Sequence, residues 1–317
     1  MSTKVAKSNK KRIGIFIVCM VLLVAVLSAT AVGYVYIIAK PKAVVARAEA
    51  LMEQGGYIDA YLALNNAEIV SWFGSEKLTE KATELSAKKE ALAGEHPTVL
   101  FYDAKVGDVI TFGRFEQDGD DENGQEPLEW LVLDVDETNG RLLVISLYCI
   151  DCQRFRQEDV KTSWSESNIR KWLNKKDGKY AFYGNAFNQY EQACIVSKTI
   201  SVPLNPEYKT GSLQTATDRL FLLSAQEAEQ YFADDAARVC EPTLYARTRG
   251  SYVPSGKSSC RWWLRTSGET TKKAVFVGFD GAINLAGMSV IGTGDYAGSD
   301  RLSVRPAMWI QIEYPTE

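Results

Sequence analysis

Histidine is almost absent from this 317-residue sequence. The one histidine is His96, in the polar segment 94–97, so the whole chain beyond it contains none. Ser-His-Asp and Cys-His catalysis and histidine-ligated zinc sites all require an imidazole. Their exclusion leaves carboxylates, Tyr, Lys or a thiol for any catalysis in the larger part of the chain, and no catalytic residue is assigned.

Acidic residues outnumber basic residues outside the N-terminal segment. The formal net charge is −4, and five basic residues with no acidic residue stand before position 13. Without those five residues, the rest of the chain has a net charge of −9. An acidic domain repels nucleic-acid phosphates and anionic lipid, so nucleic acid is excluded as a partner.

Charge of either sign is missing from residues 13–39. A run of about 20 apolar residues is long enough to cross a bilayer, and the flanking basic residues are more numerous on its N-terminal side. We therefore expect a cytoplasmic basic tail over 1–12, a transmembrane helix over 13–39, and an extracellular remainder of a single-pass membrane protein. A cleaved signal peptide, with a cleavage pattern at Ala29-Thr30-Ala31, is the alternative.

Two or three helices are predicted over residues 43–93. Small and large apolar residues alternate at spacings that allow two short helices to pack antiparallel about a turn at Gly55-Gly56. The pattern resembles one tetratricopeptide repeat, and a third apolar stretch follows over 75–93. We expect a helical stalk that ends in the polar segment 94–98.

The segment 98–317 is predicted to be an α+β domain. Residues 128–135 and 141–146 are apolar runs joined by Asn139-Gly140, which is a strong hairpin signal. Helices are predicted over 166–174 and 183–194, and Ser224 with Glu227 forms a capping-box sequence at the start of a short helix. The last predicted strand is 304–312, so strand blocks alternate with helices.

Five cysteines follow the charge-free run, and an odd number leaves at least one without a disulfide partner: they are Cys149, Cys152, Cys194, Cys240 and Cys260. The first two form a CxxC motif that closes an apolar strand, and no second CxxC completes a zinc site. We consider buried or locally bridged thiols, a labile disulfide and metal ligation. A disulfide or thiol site at Cys149 and Cys152 is predicted, without a resident metal.

The acidic loop Asp118–Glu122 has some of the oxygen ligands of a calcium loop. Counted from Asp118, the sixth residue is Asn123 rather than glycine, and no helix is predicted on either side. We expect a solvated loop, with calcium as the one candidate cofactor.

Two tryptophans and two arginines form the densest signal: Trp262, Trp263, Arg265 and Arg305. Adjacent strand residues face opposite ways, so one tryptophan is expected in the core and the other at the solvent or under a loop. We expect the two strands to be neighbours and both arginines to bind carboxylates or carbonyls. The four residues are also the candidate ligand-binding site, with tryptophan as a platform for a sugar or peptide.

Sequence landmarks throughout the C-terminal part support a resemblance. They are Phe112-Gly113, Glu129–Leu133, Thr162–Trp164, Ile169–Asn174, Asp218–Ser224, Trp262–Arg265, Asp280-Gly281 and Val304–Ala307. Together they resemble a bacterial domain family of unknown function that is frequent in Gram-positive gut anaerobes and often attached to membrane anchors. The segments after 260 also resemble the C-type-lectin-like fold of formylglycine-generating enzymes. That resemblance implies a C-type-lectin-like domain with short strands and inserted helices.

The sequence therefore predicts a membrane-anchored cell-surface protein whose outer domain binds an envelope or host ligand, either a glycan or a protein. One alternative is an extracytoplasmic enzyme with Cys or carboxylate chemistry. Within the formylglycine-generating resemblance, Cys240 and Cys260 are the thiols nearest the corresponding region. A second alternative is a structural envelope protein that binds its partner through residues 43–93.

Overall fold

The computed structural model divides the chain into two compact units. The first extends from the N-terminus to Glu95, and the second extends from His96 to Tyr314. The structure describes residues 2–35, 39–65, 76–292 and 302–315, and within these it describes all side chains except those of 2–17, 76–79 and 81–82.

The transmembrane prediction is not supported. Helix α1 spans Ser2–Tyr34, so it begins within the basic segment rather than at residue 13. Among the residues that the structure describes, no helix is both long enough and apolar enough to cross a bilayer. Residues 36–38 of the predicted span lie outside the described residues.

Among its described residues, the first unit also contains three shorter helices: α2 Lys40–Glu53, α3 Tyr57–Asn65 and α4 Glu76–Glu95. The turn between α2 and α3 is at Gly55, whose φ of 79° is accessible to glycine at little cost. Ala48 on α2 and Ala60 on α3 are fully buried, and Leu85 and Leu92 of α4 belong to the same small core. Small residues on α2 and α3 therefore let these helices approach closely, as their spacing predicts.

The strands of the second unit have the following bounds: β1 Val109–Phe115, β2 Glu126–Asp136, β3 Arg141–Ser146, β4 Asp151–Gln153, β5 Lys198–Val202, β6 Gln214–Asp218, β7 Leu220–Phe221, β8 Trp262–Ser267, β9 Lys273–Val277, β10 Ile283–Ser289, β11 Leu302–Val304 and β12 Ala307–Gln311. Within the described residues they form one sheet in the order β1-β2-β3-β12-β7 and another in the order β10-β9-β8-β11-β4. Strands β5 and β6 pair separately. We call the first two sheets the β3 sheet and the β8 sheet.

The helices of the second unit lie in the connections between strands: α5 Asn168–Leu173, α6 Phe182–Ala186, α7 Gln189–Cys194, α8 Ala225–Tyr231, α9 Asp235–Arg238 and α10 Leu244–Thr248. Short 3₁₀ helices span Pro97–Leu100 and Trp164–Glu166. Blocks of mainly antiparallel strands with helices inserted between them confirm the α+β class. The more specific C-type-lectin-like assignment stays a prediction.

Local sequence signals account for several element boundaries. Strands β2 and β3 form the predicted hairpin, and Gly140 in its turn has a φ of 60°. The predicted capping box is present at α8, where the Glu227 carboxylate accepts from the Ser224 N–H at 2.8 Å. The helix predicted over 183–194 is two helices, because the Asn188 side chain caps α7 and ends the continuity with α6.

The predicted strand over 304–312 is divided between the two sheets. Strand β11 lies in the β8 sheet between β8 and β4, whereas β12 lies in the β3 sheet between β3 and β7. Only Arg305 and Pro306 separate them, and proline has no N–H for a sheet ladder. The prediction that the Trp262 strand lies beside this segment therefore holds for β11, through the pair Ser303 and Trp262, and is wrong for β12.

Candidate functional site

Both tryptophans of the predicted ligand site are fully buried, at 0% exposed. The Trp262 indole N–H donates to the Arg238 carbonyl at 3.2 Å, and that of Trp263 donates to the Gln153 carbonyl at 2.9 Å. Neither tryptophan faces the solvent, because β8 lies inside its sheet and both indoles meet other segments. Of the two positions expected for the outer tryptophan, the one under a loop agrees with the structure. The ring of Phe155, with its centroid 5.6 Å from that of Trp263, is part of this cover.

Arg265 is held by a carboxylate and two carbonyls. Its two terminal nitrogens bind both carboxylate oxygens of Glu227, with Nη2 at 2.7 Å from Oε1. Its Nε also donates to the Ser201 carbonyl at 3.0 Å, and Nη1 donates to the Leu222 carbonyl at 2.6 Å. This arrangement is the planar, two-pronged pairing for which a guanidinium is suited.

Arg305 is also buried, but it is held differently. Its Nε donates to the Ser146 carbonyl at 3.0 Å, and its guanidinium lies over the rings of Phe232 and Trp262 at 5.3 and 5.2 Å. Both arginines are thus satisfied by carboxylate, carbonyl or ring contacts, as expected for a cation that cannot lose its charge. Ligand binding by Trp262, Trp263, Arg265 and Arg305 stays a prediction, and it would require these buried side chains to be uncovered.

A cleft of about 780 Å³ lies elsewhere on the second unit. Its walls come from the end of β1 and the acidic loop after it, from β4, from the segment between α5 and α6, and from α10. A volume of this size falls in the range of ~300–1,000 Å³ usual for small-molecule sites. We call this feature the cleft and take it as the candidate functional site.

Aromatic rings form one part of the cleft lining. Phe115 is the central ring, with centroid distances of 6.5 Å to Trp172 and 5.6 Å to Tyr245 in edge-to-face contact. Tyr180, also in the lining, is 76% exposed despite its size. A ligand in the cleft can therefore contact the Tyr180 ring without any opening of the core.

Asp151 is the most buried acidic group of the cleft, at 3% exposed. Its carboxylate accepts from the Cys152 N–H at 2.6 Å and the Gln153 amide at 2.8 Å, and Arg249 Nε lies 3.6 Å away. Burial raises the pKa of Asp151, while these hydrogen bonds and the Arg249 charge oppose that rise. A carboxyl group held this way can bind a hydroxyl as an acceptor or, when protonated, as a donor.

The acidic loop forms the opposite rim of the cleft through Glu116, Gly119 and Asp121. Glu116 accepts from the Gly119 N–H at 2.6 Å, and burial, together with the neighbouring charge of Glu126, raises its pKa. Among the described residues, carboxylate oxygens of Glu116, Asp118 and Glu126 lie within 4.8 Å of one another. Calcium binding at Asp118–Glu122 stays a prediction. Of the three carboxylates that lie close together, only Asp118 belongs to that loop, and Glu116 and Glu126 lie on either side of it.

The predicted disulfide or thiol site at Cys149 and Cys152 stays a prediction. The six cysteines all lie in the described ranges, and none is in a disulfide. Cys149 and Cys152 are both buried, and the Cys149 sulfur lies 3.4 Å from the sulfur of Cys240. Neither thiol of the motif lines the cleft, whereas Asp151 between them does.

Several segments of the cleft carry sequence patterns that indicate other roles. The acidic loop has the pattern of a possible calcium site, and the 149–152 motif indicates a site formed by its thiols. Trp172 is part of a family landmark. Tyr180 and Tyr245 carried no sequence signal. The cleft joins segments that are far apart in the sequence, and a single sequence does not show that they meet.

Comparison with known proteins identifies a family for the chain. The profile of a domain of unknown function, DUF6273, matches residues 139–312. The match includes Asp151, Trp172 and Tyr245 of the cleft, but Phe115 and the acidic loop precede it. Searches of the curated proteins and of the solved structures found no match. Because the profile covers more than half of the length of the chain, the chain belongs to the DUF6273 family, whose domain has no known function.

Proposed function

We propose that the second unit is a glycan-binding module and that its ligand occupies the cleft. The observation that carries this proposal is the composition of the lining, in which aromatic rings alternate with a balanced set of polar groups. The lining includes three acidic residues, three basic residues and four side-chain amides. A glycan presents hydroxyls that both donate and accept, along with C–H faces that pack on aromatic rings.

The charge balance favours a neutral ligand. The acidic residues are Glu116, Asp121 and Asp151, and the basic residues are Arg154, Lys179 and Arg249. A site for a phosphate or a nucleic acid would be dominated by cations, and a site for a peptide is usually an extended groove or sheet edge. A lining with paired charges and amides instead supplies many donors and acceptors at fixed positions.

Tyr180 is the residue through which the proposal is tested. The full chain is first screened on a glycan array, and the affinity for the best ligand is then measured by calorimetry for the wild type and for Tyr180→Ala. We expect about a tenfold loss of affinity, which is the effect of removing one stacking contact worth roughly 1.4 kcal/mol. Because the ring is largely exposed, the unfolding midpoint should stay unchanged.

Tyr208→Ala is the matched control. Tyr208 is also an exposed tyrosine, at 40%, but it does not line the cleft. Equal affinity of the two variants, or the absence of any glycan ligand on the array, would contradict the proposal.

Hydrolysis of the bound glycan is the second candidate. Glu116 and Asp151 line the same cleft, and both have raised pKa values because burial disfavours their charged forms. A raised pKa is what a carboxylic general acid requires near neutral pH. Product analysis after incubation with the array-identified glycan tests this candidate. Turnover that is abolished in Glu116→Gln or Asp151→Asn would support it, and intact glycan after prolonged incubation would reject it.

A further inference from the structure

Two buried thiols from distant parts of the sequence meet in the core of the second unit. The sulfurs of Cys149 and Cys240 lie 3.4 Å apart although 91 residues separate them. Cys149 is 0% exposed and Cys240 is 3% exposed. Neither thiol has a role in the proposed function, so their contact requires its own explanation.

The backbones around the two thiols run side by side. The Cys149 N–H donates to the Glu241 carbonyl at 2.9 Å, and the Thr243 N–H donates to the Cys149 carbonyl at 3.0 Å. Cys149 also forms a parallel bridge with Pro242. Two cysteines on adjacent, hydrogen-bonded segments have the backbone proximity that a disulfide requires.

We propose that Cys149 and Cys240 form a disulfide when the protein folds under oxidising conditions. The two sulfurs must approach by about 1.4 Å to reach the bond length of about 2.05 Å. The hydrogen-bonded backbones can remain in place while the side chains make this movement. The pair differs from the Cys149 and Cys152 disulfide that the CxxC motif suggests.

Cys240 has different surroundings from Cys149 in the folded chain. Burial acts to raise its pKa, but the hydrogen bond from the Cys149 thiol and the charge of Arg305 outweigh that effect and lower it. Burial raises the pKa of Cys149. These shifts belong to the folded chain, where burial disfavours the Cys149 thiolate.

The reaction is a thiol–disulfide exchange with a small disulfide such as oxidised glutathione. The thiolate of one of the two cysteines first attacks the reagent, forms a mixed disulfide with it and releases one thiol. The thiolate of the other cysteine then attacks the sulfur of the first, the bond from that sulfur to the reagent breaks, and the second thiol leaves. The protein loses two electrons and two protons, and one reagent disulfide becomes two thiols. Because both thiols are buried in the folded chain, the exchange takes place before folding is complete.

The bond would join two walls of the cleft. Asp151 and Gln153 follow Cys149 closely, whereas Tyr245 and Arg249 follow Cys240, and all four line the cleft. A covalent link at the base of both segments would hold these side chains in register. This consequence rests on the proposed function, but the disulfide itself does not.

Disulfide mapping of the full chain tests the proposal directly. The chain is unfolded with reductant, refolded in a mixture of oxidised and reduced glutathione, alkylated under denaturing conditions, digested and analysed by mass spectrometry. We expect one disulfide between the peptides of Cys149 and Cys240, with the other four cysteines alkylated. Alkylation of all six cysteines would overturn the proposal. So would a bond from Cys149 to Cys152, or to Cys260, whose thiol also lies beside it.

Thermal unfolding supplies a second measurement. A disulfide that closes so long a loop should raise the unfolding midpoint by about 5–15 °C, so reductant should lower the midpoint of the wild type by that amount. The double variant Cys149→Ala/Cys240→Ala should be insensitive to reductant, and Cys194→Ala should respond like the wild type. An unchanged wild-type midpoint would contradict the proposal. Because neither measurement uses a glycan, failure of the disulfide can be distinguished from failure of the proposed function.

Discussion

Truncation of either tryptophan of β8 should strongly destabilise the second unit. Both indoles are fully buried, and Trp→Ala changes at such sites cost about 3–5 kcal/mol in the free energy of unfolding. Trp262→Ala should lie at the upper end of this range, because it also removes the ring on which the buried Arg305 guanidinium rests. Trp263→Ala leaves the Gln153 carbonyl without its donor at 2.9 Å.

Phenylalanine substitutions separate the two contributions. Trp263→Phe keeps most of the ring but removes the N–H, so we expect a loss of about 1–3 kcal/mol, the usual penalty for an unsatisfied buried acceptor. Urea unfolding of the full chain, followed by near-ultraviolet circular dichroism, measures these differences. Tyr180→Ala is the control, since an exposed ring should change stability by no more than about 0.5 kcal/mol. If both alanine variants lose less than about 1 kcal/mol, the tryptophans are not core residues and the predicted surface site regains support.

Three further predictions concern other parts of the second unit. First, the raised pKa of Asp151 means that the folded state binds its proton more tightly than the unfolded state, so stability should fall as pH rises from 3.8 towards the folded-state value. Asp151→Asn should show a smaller fall in urea unfolding over the same range, and identical pH profiles would contradict the pKa assignment. Second, Gly281→Ala should lower the free energy of unfolding more than Gly256→Ala does, as measured by thermal unfolding. Both glycines have positive φ, but a Cβ at Gly281 would lie 1.6 Å from the Asp235 carbonyl oxygen, whereas the space around Gly256 is open. Gly256→Ala should cost about 1–2 kcal/mol, and equal losses would show that the contact with Asp235 relaxes freely. Third, if calcium binds the acidic loop, it should raise the unfolding midpoint of the wild type and have less effect on Glu116→Gln. No calcium effect on the wild type would reject that cofactor.

Local patterns in the sequence predicted the elements that depend on neighbouring residues. The β2–β3 hairpin, the Gly55 turn and the α8 capping box were correct because each is determined by residues within a few positions of one another. The α+β class followed from the alternation of strand and helix blocks.

Long-range pairing was beyond the reach of these patterns. The apolar segment 304–312 reads as one strand, and its division between two sheets depends on partners more than 150 residues away, such as the β3 strand. The cleft was missed for the same reason, because Phe115 and Tyr245 meet only after the sheets form. Alternation along the strand left two positions open for the outer tryptophan, at the solvent or under a loop, because it does not reveal that both faces of the β8 sheet are covered.

Residues 302–311 supply one strand to each of the two sheets. Neither sheet can therefore be complete until this segment has been synthesised. Strand β12 lies between β3 and β7, and β11 lies between β8 and β4, and both follow the other described strands in the sequence. Until synthesis has passed residue 311, β3 is paired only with β2 and β8 only with β9, and exposed strand edges are prone to intermolecular pairing. The nascent chain should therefore stay prone to aggregation until β11 and β12 have been made.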